Sequence, residues 1–113
     1  METQRQEKIA RQIQKDMGEI LQRRSPEFNN AMITVTKVYV TKDLSLARIY
    51  VSLFATNDKK STLQLIRGNL SEIRYDLGNR IRHQVRKIPD LEVFEDDSLD
   101  YIDHIDELLD DDK

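Results

Sequence analysis

Residues 63–85 read LQLIRGNLSEIRYDLGNRIRHQV, and the apolar side chains in this stretch recur in steps of three and four. That period is typical of an amphipathic helix with one buried stripe. Gly68 lies inside the run, and Asn69 and Ser71 beside it are weak helix formers because their side chains compete for backbone hydrogen bonds. We therefore predict a helix that breaks near residues 68–71. The predicted stripe consists of Leu63, Ile66, Leu70, Ile73, Leu77, Ile81 and Val85.

Two predicted strands precede this helix. Residues 32–41, MITVTKVYVT, are rich in β-branched and aromatic side chains, which favours a strand. The apolar residues change parity between Val35 and Val38, which predicts a β-bulge or a strand covered on both faces. Residues 46–54 alternate regularly, and the four residues between the strands indicate an antiparallel hairpin. The inward side chains of the second strand are predicted to be Ala47, Ile49, Val51 and Leu53.

The outer elements complete an α+β domain. Residues 3–22 have the period of an amphipathic helix, with Thr3 as a candidate N-cap, and Ser25-Pro26 is expected to end it. Pro89 ends the later helical region, and Leu91 to Phe94 form a short third strand. The predicted order is helix, strand, strand, helix, kink, helix, strand. We expect the helices to pack on one face of a three-stranded sheet.

Composition excludes several classes of protein. The 113 residues suit a single domain, and the absence of cysteine excludes disulfide frameworks, thiol catalysis and thiolate zinc sites. No apolar run reaches the roughly 18–20 residues that span a membrane. The N-terminal stretch METQRQEKIARQ lacks the apolar core of a secretory signal. We therefore expect a cytoplasmic protein outside the membrane.

The residues that could carry catalysis do not form a recognisable site. His83 and His104 lie far apart in the sequence, and there is no glycine-rich phosphate loop. The run that starts at Asp96 resembles a calcium loop, but its sixth position, which needs glycine, is Tyr101. We predict a protein that is not an enzyme and that uses no metal, cofactor or small-molecule substrate.

Charge is divided along the chain. Residues 1–89 carry 17 Lys and Arg against 9 Asp and Glu, a balance of +8. Residues 90–113 carry 1 against 12, a balance of −11, so the net charge of −3 conceals a basic part. A partner responds to the local field of a patch rather than to the whole-chain charge. Either half is also compatible with solvated helix faces and a solubilising segment.

One flank of the long helix is basic. On a helical wheel Arg67, Arg74, Arg82 and Arg86 fall together, with Tyr75 and Asn79 between them. Guanidinium groups suit phosphate and stack on bases, so this flank is a candidate nucleic-acid surface. The alternative is a surface helix whose arginine stems cover the core and pair with Glu72 or Asp76. The residues alone leave both interpretations open.

The order of elements, with a kinked helix before the last strand, resembles the second topological type of KH domain, an RNA-binding fold. The segments IRYDLGNRIR at 73–82 and VTKVYVTKDLSLARIYVSLF at 35–54 resemble the ribosome-binding factor A family. Pro89-Asp90-Leu91 and Asp96-Asp97-Ser98 extend the resemblance, which covers about residues 5–109. That family has an Ala-x-Gly kink, and Asn69-Leu70-Ser71 stand at its positions here.

The resemblance implies a non-enzymatic assembly factor that binds immature small ribosomal subunits through their rRNA and assists late maturation. We expect a monomer, with residues 1–95 as the KH-like RNA-binding domain. A protein–protein adaptor that acts through an acidic C-terminal helix is the alternative. The predicted RNA contacts are Lys8, Arg11, Lys15, Arg23, Arg24, Arg67, Asn69, Ser71, Arg74, Arg82 and Arg86.

The acidic segment, residues 96–113, has two interpretations. Tyr101, Ile105 and Leu108 keep helical spacing, so the segment can form a short helix that docks on the sheet while its acids face water. Alternatively, the acids repel unrelated RNA or compete for the basic face.

Overall fold

The computed structural model describes residues 4–96 and has the predicted order of elements. Helix α1 is Gln4–Arg23, and a 3₁₀ turn, Ser25–Glu27, follows it. Strands β1 (Met32–Val40) and β2 (Leu46–Phe54) form an antiparallel hairpin. Helices α2 (Lys59–Gly68) and α3 (Leu70–Ile81) lead to β3 (Asp90–Glu95), which pairs parallel to β2. The sheet order is β1-β2-β3, so the predicted α+β class is confirmed.

A bulge in β1 explains its change of parity. Val35 pairs with Val51, but the next pair is Lys37 with Tyr50, so Thr36 is the extra residue. The extra residue returns Val38 and Val40 to the face that Ile33 and Val35 already occupy, because side chains alternate along a strand. The bulge interpretation of the sequence is therefore confirmed.

The core lies between the sheet and the three helices. Its largest fully buried side chains include Ile13, Met17 and Leu21 of α1, which pack over the inward residues of β1 and β2. The second half of the core comes from Ile66 of α2 and Leu77 of α3. The predicted inward residues of β2, Ala47 to Leu53, are all buried, whereas Met32, Tyr39 and Phe54 project from the opposite face. The helices therefore cover one face of the sheet, as predicted.

The predicted break falls between α2 and α3. Asn69 separates the helices with φ −114° and ψ 16°, and its N–H donates to the Ile66 carbonyl at 3.0 Å. Its side-chain Nδ2 donates to the Leu65 carbonyl at 2.8 Å, which satisfies an acceptor at the end of α2. The backbone at Asn69 is one that ordinary residues adopt, so this kink requires no glycine.

Two helix boundaries differ from the prediction. The sequence predicts that the helical period returns at Ser61, but helix α2 begins at Lys59. The Asp58 side chain accepts from the Ser61 amide at 2.9 Å and caps the first turn. Helix α3 ends at Ile81, although the apolar period continues to Val85. Val85 is buried from a non-helical segment, so the chain leaves the helix axis while still covering the core.

Some predictions fall outside the described part of the chain. The proposed N-cap Thr3 and the final helix of the acidic segment belong to residues 1–3 and 97–113, which the description excludes. Within residues 4–96, no helix is both long and apolar enough to cross a bilayer. The same residues contain no group of three side chains placed to hold a metal ion.

A matched pair of leucines tests the core. Leu77→Ala should lower the free energy of unfolding by about 2–5 kcal/mol, because Leu77 is fully buried and its loss leaves a cavity. Leu65→Ala removes the same atoms from a side chain that is 38% exposed, and we expect a change within about 0.5 kcal/mol. Urea unfolding measures both values. Equal losses would contradict the assignment of the core.

Candidate nucleic-acid interface

The face of α1 that points away from the sheet carries a row of cations. Lys8, Arg11 and Lys15 follow each other in steps of three and four and are all exposed. The opposite face of the helix buries Ile13 and Met17, so packing against the core fixes the direction of the row. These three predicted contacts therefore lie together on the helical surface.

The seam between α1 and α3 consists of ion pairs. Arg80 of α3 contacts Glu19 at 2.6 Å and Asp16 at 3.3 Å. The hydrogen bond to Glu19 raises the pKa of Arg80. The Asp16 side chain is only 8% exposed, so its charge needs this cation, together with the Gln12 amide that donates to it at 2.9 Å. The seam is part of the architecture of the fold.

Arg24 belongs to the same seam and not to the exposed cations. Its Nη2 lies 2.8 Å from Asp76, and its Nη1 contacts Glu27 and Glu72. The hydrogen bond to Asp76 raises the pKa of Arg24. Three carboxylates thus surround a residue that we predicted to contact RNA. Glu72 and Asp76, the carboxylates expected to pair with an arginine of α3, pair instead with Arg24, which directly follows α1.

Two arginines of the predicted flank donate to backbone carbonyls. Arg67 Nε and Nη2 reach the Val93 carbonyl at 2.9 and 2.7 Å, on the edge of β3 that faces away from β2. Arg74 reaches the Pro89 carbonyl at 3.0 Å and the Ile88 carbonyl at 2.6 Å. Both side chains therefore hold the segment around β3, each through two of its three guanidinium nitrogens. Asn69 is likewise occupied as the cap of α2.

The outer face of α3 remains open. Ser71, Asn79 and Arg82 line a shallow depression of about 430 Å³ together with Tyr75, whose surface is 70% exposed. The prediction placed Tyr75 beside the basic flank but not among the contact residues. The sequence does contain a signal for this role, because Tyr75 is an aromatic residue on the polar face of an amphipathic helix. Arg74 also lines it, so the depression combines two cations, two small polar groups and one ring.

The structure brings together a second group of cations that the sequence analysis did not predict. Arg86 lies beside Lys87, Lys42 and Arg5 around a cleft of about 580 Å³. We call this the basic cleft. Its residues come from the first turn of α1, the β1–β2 turn and the segment after α3, so only the tertiary fold brings them together. The adjacent Arg86-Lys87 was the one local signal in the sequence.

In the described part of the chain, the exposed cations lack the carboxylate partners that Arg24 and Arg80 have. Among the side chains of residues 4–96, no carboxylate lies within ion-pair distance of the following cations: Arg5, Lys8, Arg11, Lys15, Arg23, Lys42, Arg82, Arg86 and Lys87. Helices α1 and α3 are antiparallel, because Arg80 meets Asp16 while Arg24 meets Asp76. The end of α3 therefore lies near the first half of α1. Most of these cations gather at that end of the helical layer.

Comparison with known proteins identifies the family. The family model described as Ribosome-binding factor A matches residues 5–109. The chain belongs to the ribosome-binding factor A family. Among curated relatives, ribosome-binding factor A of Flavobacterium johnsoniae is 49% identical over 111 residues, covering 96% of this chain and 85% of the relative. The Flavobacterium psychrophilum protein of the same name is 47% identical with the same coverage.

Solved structures of ribosome-binding factor A share the fold. The crystal structure from Thermus thermophilus superposes with a TM-score of 0.69 at 21% identity, covering 80% of this chain and 94% of that one. The solution structure of a Thermotoga maritima protein, a putative ribosome binding factor A, has a TM-score of 0.62 at 25% identity, covering 82% and 88%. A homology model of the Thermus protein, fitted into a cryo-EM map of its 30S complex, has a TM-score of 0.64 at 24% identity, covering 78% and 91%.

A pair of arginines tests the division between paired and exposed cations. Arg74→Ala should lower the free energy of unfolding by about 1–3 kcal/mol, because it leaves two carbonyls without their charged donor. Arg11→Ala removes an exposed cation with no carboxylate partner among residues 4–96, and we expect a change within about 0.5 kcal/mol. Urea unfolding of the two variants measures both free energies. If Arg74→Ala left the free energy of unfolding unchanged, the structural role assigned to Arg74 would be wrong.

Proposed function

We propose that this chain binds immature small ribosomal subunits through their rRNA and assists late maturation without catalysing a reaction. Family membership supports the proposal, as does the 30S complex of the Thermus relative. The observation that carries it is the exposed set of cations that face away from the sheet with no carboxylate partner among residues 4–96. Such a protein would work in the cytoplasm, where ribosomes assemble.

The proposed surface, which we call the helical face, combines two rows. The row on α1 supplies the cations Lys8, Arg11 and Lys15, and the row on α3 supplies Ser71, Tyr75, Asn79 and Arg82. Cations that neutralise phosphates release condensed counterions, so binding is favourable at low salt despite the net charge of −3. We leave Arg24, Arg67, Asn69 and Arg74 outside this surface, because each already makes hydrogen bonds or ion pairs that hold the fold.

The exposed ring gives the surface a way to hold unpaired bases. A ring that is 70% exposed on a helix face presents its π-surface to solvent, and single-stranded RNA stacks its bases on such rings. Stacking tolerates any base, so we expect recognition by shape and by unpaired regions rather than by sequence. An immature subunit offers such regions before its RNA has folded completely.

Assistance in maturation then requires only differential binding. A factor shifts a conformational equilibrium by the difference in its affinity for the two states. Binding immature subunits more tightly than mature ones would hold the RNA in a form that later steps can use. This mechanism needs no catalytic group, and release follows when the mature RNA no longer fits the helical face.

Charge reversal on the helical face tests the proposal. Lys8→Glu with Lys15→Glu should abolish sedimentation with small subunits at low salt, because two attractive phosphate contacts become repulsive. Lys37→Glu with Lys60→Glu changes the charge equally at exposed lysines outside the helical face and should sediment like the wild type. Circular dichroism of all proteins checks folding.

The result also separates the proposal from the adaptor alternative. An adaptor acting through the acidic segment, residues 96–113, would stay with its partner in the Lys8/Lys15 variant, and that outcome would refute the RNA surface. Wild-type protein that sediments with small subunits at low salt and is released by high salt would agree with phosphate contacts.

The exposed ring of Tyr75 gives a prediction that separates base stacking from electrostatic binding. Tyr75→Ala should weaken binding to single-stranded ribosomal RNA by about 1–3 kcal/mol, roughly 5- to 150-fold, because one stacked base loses its ring. The dependence of the affinity on salt should stay unchanged, since no cation is lost. Tyr75→Phe keeps the ring and should bind like the wild type. Fluorescence anisotropy at several salt concentrations measures each value, and a weak Tyr75→Phe variant would refute stacking.

A further inference from the structure

The basic cleft lies at the end of the helical face and is built from three separate chain segments. The first turn of α1 supplies Arg5, the β1–β2 turn supplies Lys42, and the segment after α3 supplies Arg86 and Lys87. The apolar residues Leu44 and Val85 also line it, and the opening holds about 580 Å³. Cations from three segments thus converge on one concave volume, which a single helix face cannot produce.

The cleft has a large excess of positive charge. Among residues 4–96, the one acidic residue that lines it is Asp43. Its carboxylate accepts hydrogen bonds from Ser45 Oγ at 2.7 Å, Thr41 Oγ1 at 2.8 Å and the Ser45 amide at 3.1 Å. The Ser45 hydroxyl is the main cause of a lowered pKa at Asp43. Within the described chain, the carboxylate is engaged in shaping the turn and forms no ion pair with the four cations. Gathering like charges in a cleft focuses a positive field that an anion relieves.

Two walls of the cleft are fixed to the fold. Leu44 has φ 61°, a left-handed conformation that is unfavourable for a leucine, and its amide donates to the Thr41 carbonyl at 2.8 Å. The Ser45 carbonyl accepts from the Asp90 amide, which ties the turn to β3. The Gln6 side chain donates to the Val40 carbonyl at 3.0 Å, which ties the start of α1 to the end of β1. The turn that carries Lys42 is therefore held in one geometry.

The cleft also follows the α3 depression closely along the chain. Arg82 belongs to the depression on α3, and Arg86 to the cleft, with only a short turn between them. A strand lying along α3 would therefore meet the cleft at the end of the helix. Lysine and arginine around an open concave volume suit the phosphate oxygens of such a strand and read no base.

We propose that the basic cleft is a second phosphate site, which holds the backbone of an RNA strand where that strand leaves the helical face. The inference rests on the proposed function and deepens it by adding Arg5, Lys42 and Lys87 to the RNA contacts. The bound group is a phosphate, and its source is the RNA backbone rather than a free phosphorylated molecule.

The first arm of the test uses inorganic tripolyphosphate and needs no RNA. In ¹H–¹⁵N spectra of the full chain, saturable shifts should appear at residues 42–45 and 85–87. The amide of Lys60, beside an exposed lysine outside the cleft, should not move. Shifts that spread evenly over all exposed cations would overturn the cleft as a site.

The second arm measures RNA binding of Lys42→Ala with Lys87→Ala against the matched control Lys37→Ala with Lys60→Ala. Losing two phosphate contacts should weaken binding to single-stranded ribosomal RNA on the order of tenfold at low salt. The slope of log affinity against log salt should fall by about 1.4, or about 0.7 for each contact. The control should match the wild type in both quantities.

The two proposals fail in different ways. If the wild type binds no ribosomal RNA, the proposed function fails and the RNA source of the phosphate fails with it. If the wild type binds RNA and the Lys42/Lys87 variant has the same affinity and slope, only the cleft proposal is overturned. Tripolyphosphate shifts at the cleft combined with unchanged RNA binding would assign it to a free anion and refute the RNA source.

Discussion

The ion pair between Arg80 and Asp16 is the constraint from which the arrangement of charge follows. Asp16 is nearly buried, so its carboxylate requires a cation from the neighbouring helix. Together with Arg24 and Asp76, this contact fixes α1 antiparallel to α3. The first half of α1, which carries Lys8 and Arg11, then lies near the end of α3, where Arg82 follows the helix. The helical face is thus a consequence of how the helices pack.

Periodicity in the sequence was sufficient to predict the elements. The strand from Leu46 to Phe54, the break near Asn69 and the bulge between Val35 and Val38 all follow from local patterns, and the structure confirms them. The end of α3 could not be predicted in this way, because Val85 keeps the helical period while lying outside the helix. The spacing of apolar residues reports only which side chains are buried. A non-helical turn after α3 buries Val85 just as a continued helix would.

The roles of the arginines could not be predicted from the sequence. A helical wheel gives the direction of Arg67 and Arg74 but not their acceptors, which are carbonyls of Val93, Ile88 and Pro89. These carbonyls come near only when β3 joins the sheet beside β2. The basic cleft was hidden for the same reason, since its cations are separated in sequence and meet only in the folded chain. Local pattern thus predicts which residues are exposed, whereas topology decides which of them remain available.

The two kinds of cation have different tasks in this fold. Arg24, Arg67, Arg74 and Arg80 make the contacts between elements, each through two or more donor–acceptor contacts. The planar guanidinium suits this task because its donors are fixed relative to one another, whereas a lysine ammonium is a hydrated point charge on a flexible stem. The surfaces proposed for RNA carry both lysine and arginine, with Lys8, Lys15, Lys42 and Lys87 beside Arg5, Arg11, Arg82 and Arg86. An ammonium there can adjust to an irregular backbone, so the fold combines rigid internal contacts with an adaptable positive surface.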